Sequence, residues 1–203
     1  MNKNGLILVV SGPAGSGKGT VNSILLSTGD YVFSVSRTTR APRPGEIDGK
    51  HYSFISKETF LSLLEKGDFL EHNEYCGNYY GTPKSEAEKA TADGKNVILE
   101  IDVNGARQVK ENCPDAVLIM LLPPSFAEQE KRLRGRGTET EEKILSRLAQ
   151  THEELDQLSM YDYIVINEDG GTQSAAEDIM AIVRAEKCAR RRKPDMKNKY
   201  FGN

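Results

Sequence analysis

Cysteine is scarce in this chain of 203 residues: Cys76, Cys113 and Cys188 form an odd, scattered set with no Cys-x-x-Cys spacing. Neither a disulfide frame nor a thiolate zinc site is indicated. His51, His72 and His152 are equally dispersed, so no nitrogen ligand cluster compensates. A reducing cytoplasm is the expected compartment. Long hydrophobic runs are also missing. The N-terminal apolar run is too short for a signal sequence and nothing approaches a spanning helix, so neither secretion nor membrane insertion is expected. Charge of one sign is not in excess either: a net −3 argues against bulk affinity for nucleic acid, and any anion site must come from locally clustered arginines. There is no internal repeat or low-complexity tract. The length suits one domain with a full core and excursions from it.

What the chain does have is a phosphate-binding turn. The apolar run at 6–10, with Val9 and Val10 adjacent, ends in glycine and predicts a buried parallel strand feeding a loop. Val21, Ile24, Leu25 and Thr28 recur at i, i+3, i+4 and i+7, so an amphipathic helix follows at once. Between them lie Gly12, Pro13, Ala14, Gly15, Ser16 and Gly17, a loop open enough to aim successive backbone N–H groups inward, with the helix N-terminus adding partial positive charge. Lys18 ends the pattern Gly-x-x-x-x-Gly-Lys and supplies a point charge for β- and γ-phosphates. The strict pattern continues with Ser or Thr to hold Mg²⁺. Here that position is Gly19, which leaves Thr20 as the candidate hydroxyl toward the metal, directly or through water.

Farther along, residues 31–36 alternate like a short strand, and 37–50 is a Pro/Gly/Arg-rich loop expected to hold no regular structure. A strand at 52–55, a helix at 57–66 and short strands around Phe69-Leu70-Glu71 and Tyr79-Tyr80 predict a small α+β insertion. A helix at 84–92 returns the chain to a buried strand at 96–101. Then come a helix near 105–111, a strand at 116–122 stopped by Pro123-Pro124, and a helix at 125–134. Gly135-Arg136-Gly137 breaks the pattern, and Thr138 with Glu141 forms a capping box for a long helix carrying Ile144, Leu148, Leu155 and Leu158 on one face. A strand at 163–166 and a helix at 174–189 complete the series. Strands alternating with helices mean a parallel, doubly wound α/β sheet. The basic tail from Arg190 reads as a frayed, solvated end, with a polyanion or assembly contact as the alternative.

Three groups of side chains can carry chemistry. A strand ending in Glu100-Ile101-Asp102 beside a phosphate loop is the usual place for a carboxylate that organises Mg²⁺, and either acid suits. Residues 36–45 hold Arg37, Arg40 and Arg43 and no acid; planar guanidinium forks in a Pro-stiffened loop suggest a second phosphate-bearing ligand. Lys131, Arg132, Arg134 and Arg136 lead into the Gly-flanked turn, with Arg147 on the next helix, as in a hinged lid. Two phosphate sites under a basic lid imply phosphoryl transfer between two phosphorylated substrates, because a loose transition state needs alignment and charge neutralisation more than covalent help. Closing the lid also keeps water from competing with the acceptor.

In order, Gly12-Pro13, Ser36-x-x-x-Arg40-x-x-Arg43, Gly77-Asn78-Tyr79-Tyr80-Gly81-Thr82, Glu100-Ile101-Asp102, Arg134-Gly135-Arg136-Gly137-Thr138-Glu139 and Val165-Ile166-Asn167 span nearly the whole chain. This ordered set resembles the guanylate kinases, P-loop nucleoside monophosphate kinases that act on GMP. The resemblance implies a P-loop NTPase-type sheet, with a core at 1–35, 93–134 and 148–190, a GMP-binding region at 36–92, a lid at 135–147 and a basic tail at 190–203. It implies that Arg40, Arg43, Tyr52 and Tyr80 hold the GMP phosphate, while Ser36, Glu71, Thr82 and Asp102 read the guanine. Guanine offers N1–H and N2 amino donors to a carboxylate and accepts at O6, whereas adenine would leave such a site unpaired. It implies further that Lys18, Arg132, Arg136 and Arg147 surround the ATP phosphates, with Arg132 and Asn167 near the adenine. Related kinases reading Gly-Lys-Gly-Thr still use Mg²⁺, held largely by nucleotide oxygens and water.

The expected reaction is Mg²⁺-dependent transfer from ATP to GMP or dGMP, by direct in-line displacement with no phosphoenzyme. No protein base is required because the acceptor phosphate is already anionic. Nucleic acid and membrane are not expected partners. One rival is another small-molecule kinase on this scaffold, such as a ribose bisphosphate kinase, which the guanine-reading positions disfavour. A second is a guanylate kinase-like phosphopeptide-binding domain, disfavoured by the complete phosphate loop and lid.

Overall fold

The computed structural model describes residues 4–137 and 139–202, with two sheets and eight α-helices among them. The first strand, β1 (Ile7–Ser11), is buried along its whole length and runs through the phosphate loop into α1 (Lys18–Ser27). The second apolar series forms β7 (Asn96–Leu99) and the third β8 (Val117–Leu122), with β2 (Tyr31–Phe33) and β9 (Tyr163–Ile166) at the edges. Their order is β2-β7-β1-β8-β9, all parallel, as expected for strands whose crossovers are helices. Side chains alternate across this sheet. Leu8, Val10, Ile98, Ile119 and Leu121 meet α1 and α7 (Thr172–Cys188) on one face, while Val9, Leu99, Leu118 and Met120 meet α4 (Val103–Asn112) on the other.

The second sheet has order β4-β3-β6-β5 and forms the excursion between β2 and β7. It contains β3 (Arg37–Thr38), β4 (Ser53–Phe54), β5 (Phe69–Tyr75) and β6 (Asn78–Pro83), with α2 (Lys57–Glu65) and α3 (Lys84–Ala92) beside them. The stacked rings of Phe60, Phe69 and Tyr79 give it a small core of its own. One seam joins it to α4. The Gln108 side chain on α4 donates to the His72 carbonyl at 3.1 Å and accepts from the His72 N–H at 3.0 Å, covering the edge of β5 as a neighbouring strand would. Asn112 adds a bond to the Leu70 carbonyl at 3.0 Å.

The structure departs from expectation at several boundaries. Residues 37 and 38, expected to be irregular, form β3, because Thr38 lies in register with Phe54 and Tyr80 and the proline-rich stretch starts only afterwards. β2 stops at Phe33 rather than Ser36. β7 stops at Leu99, so Glu100, Ile101 and Asp102 leave the sheet, and Asp102 becomes the N-cap of α4 by accepting the Gly105 N–H at 2.8 Å. The helix after the break, α6 (Glu141–Leu155), has Thr140 at its N-cap; the expected capping residue Thr138 lies outside the described residues. Leu158 belongs to a separate single turn of 3₁₀ helix, Leu158–Met160. α5 (Phe126–Gly135) runs one residue beyond the expected Arg134. The tail is not simply solvated. Buried Glu186 takes the Tyr163 hydroxyl at 2.6 Å and pairs with Arg191 and Arg192, and a short helix, α8 (Met196–Phe201), follows.

Candidate active site

Backbone geometry at the C-terminal end of β1 explains the glycines. At Gly12 a Cβ would stand 2.1 Å from the Leu121 carbonyl oxygen, so the loop could not pass β8 this closely with any side chain. Gly17 is the N-cap of α1 at φ 91°, where a Cβ would come within 2.3 Å of Asn167 Nδ2. That approach has a purpose: Asn167 Nδ2 donates to the Ser16 carbonyl at 2.8 Å and ties the loop to the end of β9. Gln129 of α5 does the same from the other side, donating to the Ala14 carbonyl at 3.0 Å and to the Thr151 hydroxyl at 2.8 Å. The loop is thus held before any ligand arrives.

Lys18, at the first position of α1, turns back and donates to the Gly12 and Pro13 carbonyls at 2.5 and 3.2 Å. Burial pushes its pKa down, Glu100 and Glu154 push it up, and Arg136 and Arg147 lower it further. Arg136 and Arg147 are thus near enough to Lys18 for their charge to be felt there. Gly12, Ala14, Lys18, Asp102, Arg147 and Glu154 are among the residues lining one cleft of about 260 Å³. Ser16 Oγ and Arg147 Nε are buried beside it without a hydrogen-bond partner among the described residues. Thr20 and Gly19 are exposed on the first turn of α1.

Several of the other cations are occupied by carboxylates. Arg147 pairs with Glu139 at 2.8 Å, and Arg132 bonds Glu128 at 3.1 Å while donating to the Asn167 carbonyl at 2.9 Å. Arg132 and Asn167 are thus brought together on one side of the phosphate loop. Arg136 is exposed at the C-cap of α5. Of the three arginines in 36–45, Arg37 is removed from consideration. It pairs with Asp68 at 3.2 Å and Glu86 at 2.7 Å, a structural clamp within the small sheet rather than part of a phosphate site.

The remaining two sit at the outer end of that sheet. The Arg40 guanidinium lies 5.6 Å from the Tyr52 ring centre, and Tyr52 meets Tyr80 edge-on at 6.0 Å. Arg43 is exposed in the loop beyond. At the inner end, Glu71 on β5 accepts the Thr82 hydroxyl from β6 at 2.5 Å. Its second oxygen lies so near Gly105 that a Cβ there would come within 3.4 Å, and Asp102 caps the same helix start. Burial pushes the Glu71 pKa up, with the Thr82 bond opposing and Asp102 reinforcing. Ser36 is further away in role: its carbonyl accepts the Ser53 N–H at 3.0 Å and joins β3 to β4. The sequence reading missed Glu154, although it lies seven residues after Arg147, two helical turns along the same face. It also missed Glu46, the first acid after the arginine run.

Comparison with known proteins points to one family. The family model for guanylate kinase matches residues 4–186. A guanylate kinase of Clostridium perfringens is 49% identical over 188 residues, covering 92% of this chain and 86% of that protein. Another, from Halalkalibacterium halodurans, is 49% identical over 191 residues, 94% of this chain and 93% of its own. Among solved structures, that of guanylate kinase from Anaplasma phagocytophilum matches with a TM-score of 0.68 and 37% identity over 92% of this chain and 88% of its own. On the strength of the loop, the small sheet with its buried Glu71 and these matches, the chain belongs to the guanylate kinase family.

Proposed function

We propose that this protein transfers the γ-phosphoryl group of ATP to GMP or dGMP, giving ADP and GDP, in guanine nucleotide metabolism. An oxygen of the acceptor phosphate attacks the γ-phosphorus as the bond to the β,γ-bridging oxygen breaks, and the electron pair leaves on ADP. On this reading Gly12, Pro13, Ala14, Gly15, Ser16, Gly17, Gly19 and Thr20 cradle the donor phosphates, with Asn167 beside the adenine. Lys18, Arg132, Arg136 and Arg147 neutralise the developing charge. Arg40, Arg43, Tyr52 and Tyr80 take the acceptor phosphate, and Ser36, Glu71, Thr82 and Asp102 take the guanine. The core, small sheet and lid correspond to 1–35 with 93–134 and 148–190, to 36–92, and to 135–147.

The observation that carries the reading is the buried Glu71 carboxylate, paired with a hydroxyl that can turn toward O6 and lying at the start of α4, whose cap Asp102 lines the cleft of the phosphate loop. A pair of donors on one heterocycle edge is the ligand such a carboxylate matches. The family uses ATP, and such kinases work with a divalent metal. Among the described residues no group of three or more His, Cys, Asp or Glu side chains could chelate one. The donor set therefore suits an ion carried in by ATP oxygens and water, with the Thr20 hydroxyl as the protein contribution. Supplied this way, Mg²⁺ would offset phosphate charge, and the chain's own residues need only align the two nucleotides and exclude water.

A coupled ADP-release assay offered GMP, dGMP, AMP, CMP and a ribose bisphosphate separately tests this. Turnover with GMP and dGMP alone is expected. Turnover with the sugar phosphate alone selects a different small-molecule kinase, and none with any acceptor selects a binding domain.

A further inference from the structure

The loop that carries Arg40 and Arg43 ends in a turn with a definite design. Pro44 and Gly45 occupy its centre, Gly45 has φ 87°, and the Glu46 N–H returns to the Arg43 carbonyl at 3.0 Å. This reversal brings the Glu46 carboxylate back over both arginines. Its Oε1 accepts Arg40 Nη2 at 2.8 Å, and its Oε2 accepts the same nitrogen at 3.0 Å and the Arg43 backbone N–H at 2.7 Å. The Glu46 and Arg40 side chains are 19% and 14% exposed, so the pair is largely shielded from water.

A guanidinium has five N–H donors. Arg40 spends two on Glu46 and one, from Nη1, on the Ala41 carbonyl at 2.7 Å. That leaves the Nε–H and the second Nη1–H for an incoming oxygen while Glu46 stays in place. The aromatic side is closed by Tyr52 and Phe54, with the guanidinium 5.6 and 5.9 Å from their ring centres. The cation is fixed in plane and rotation, and two donors remain.

We propose that Glu46 is a positioning residue for acceptor-phosphate binding, holding the Arg40 side chain and the Arg43 backbone in the orientation the phosphate requires. This rests on the GMP kinase reading and deepens it. An unrestrained arginine loses much of its rotamer freedom on binding, and a carboxylate that orders it beforehand removes that loss from the binding step. The carboxylate also repels the phosphate, and Glu46→Gln removes that repulsion together with the ordering, so the sign of the change in KM for GMP reads which of the two is larger.

The test uses Glu46→Gln in the whole protein, followed by steady-state kinetics and by inhibition with guanosine, which shares the base and lacks the phosphate. The expected result is a KM for GMP raised about tenfold, with kcat and the KM for ATP changed less than about twofold, since charge-assisted bonds that order Arg40 are lost. Guanosine inhibition stays within about twofold of the parent because no base contact is touched. Glu46→Asp, which keeps the charge in the turn, restores part of the GMP affinity. An unchanged or lower KM for GMP in Glu46→Gln overturns the proposal, the latter showing that the carboxylate competes with the phosphate. So does an equal loss for GMP and guanosine, which makes Glu46 a general scaffold for the small sheet. A parent protein that does not phosphorylate GMP fails the underlying reading instead, before any variant is made.

Discussion

Replacing Glu71 by Gln separates what its carboxylate does for the ligand from what it does to the fold. Glu71 is 8% exposed and accepts one hydroxyl, from Thr82. Burial raises its pKa, the Thr82 bond opposes, and Asp102 adds to the rise. A carboxyl raised in the folded state contributes stability that is present below its unfolded pKa and is lost as pH rises through the folded value. At pH 7 burial of this carboxyl therefore costs the ligand-free protein stability that the amide would not lose, while the amide keeps the shape and an acceptor for Thr82. Glu71→Gln should melt at or above the parent temperature at pH 7, and the difference should vanish as pH falls through the carboxylate range. Catalysis should move the other way. On the proposed reading, guanine presents two donors to the carboxylate in charge-assisted bonds of about 1.5–3 kcal/mol each. The amide retains one weaker acceptor and aims a donor at a donor, a loss of about 3–4 kcal/mol, or roughly two to three orders of magnitude in kcat/KM for GMP. IMP, which lacks the N2 amino group, should lose much less, so the preference for GMP over IMP collapses. The coupled assay with both acceptors, plus ATP turnover without acceptor, measures it. An unchanged GMP/IMP ratio, or equal loss with and without acceptor, would show that Glu71 serves only the fold.

Gly17→Ala forces a side chain into a left-handed N-cap and against Asn167, so it should lower stability by about 2–3 kcal/mol and weaken ATP binding at least about tenfold, read by thermal melts and calorimetric titration. Glu186 is opposed by burial but held below the usual carboxylate range by Tyr163, Arg191 and Arg192. Glu186→Gln should therefore cost about 2–3 kcal/mol at pH 7, with the parent's advantage present above the unfolded carboxyl pKa and lost as pH falls through the folded one. Arg147→Ala should reduce kcat by about two orders of magnitude with the KM for GMP within about threefold, because its charge is needed as phosphoryl transfer proceeds; comparable changes in both would mark it as a binding residue.

The parallel sheet was legible because each of its central strands is a continuous apolar run bounded by glycine, proline or a capping residue, as at 116–122 before Pro123. Strand ends were less so. Ile101 continues the apolar pattern of β7, yet the need of α4 for a cap at Asp102 takes the chain out of the sheet two residues earlier. The short β3 was hidden because Arg37 and Thr38 have no period to show; they become a strand only when β4 and β6 arrive on both sides. The phosphate loop could be read from spacing alone, since glycine and lysine positions there answer to backbone geometry. The guanine side could not. Glu71 and Thr82 are eleven residues apart and meet only through the register of β5 and β6, so without the family resemblance they look like ordinary strand residues. Glu46 and Glu154 escaped notice for a related reason: their importance lies in which cation they face after folding.

The amide bridge from Gln108 to His72, with Asn112 beside it, fastens the inner margin of β5 to α4. Backbone groups that an edge strand would leave open to another chain are thereby used up inside the molecule: the His72 N–H and carbonyl and the Leu70 carbonyl already have partners, so this stretch of β5 offers a foreign strand little to pair with.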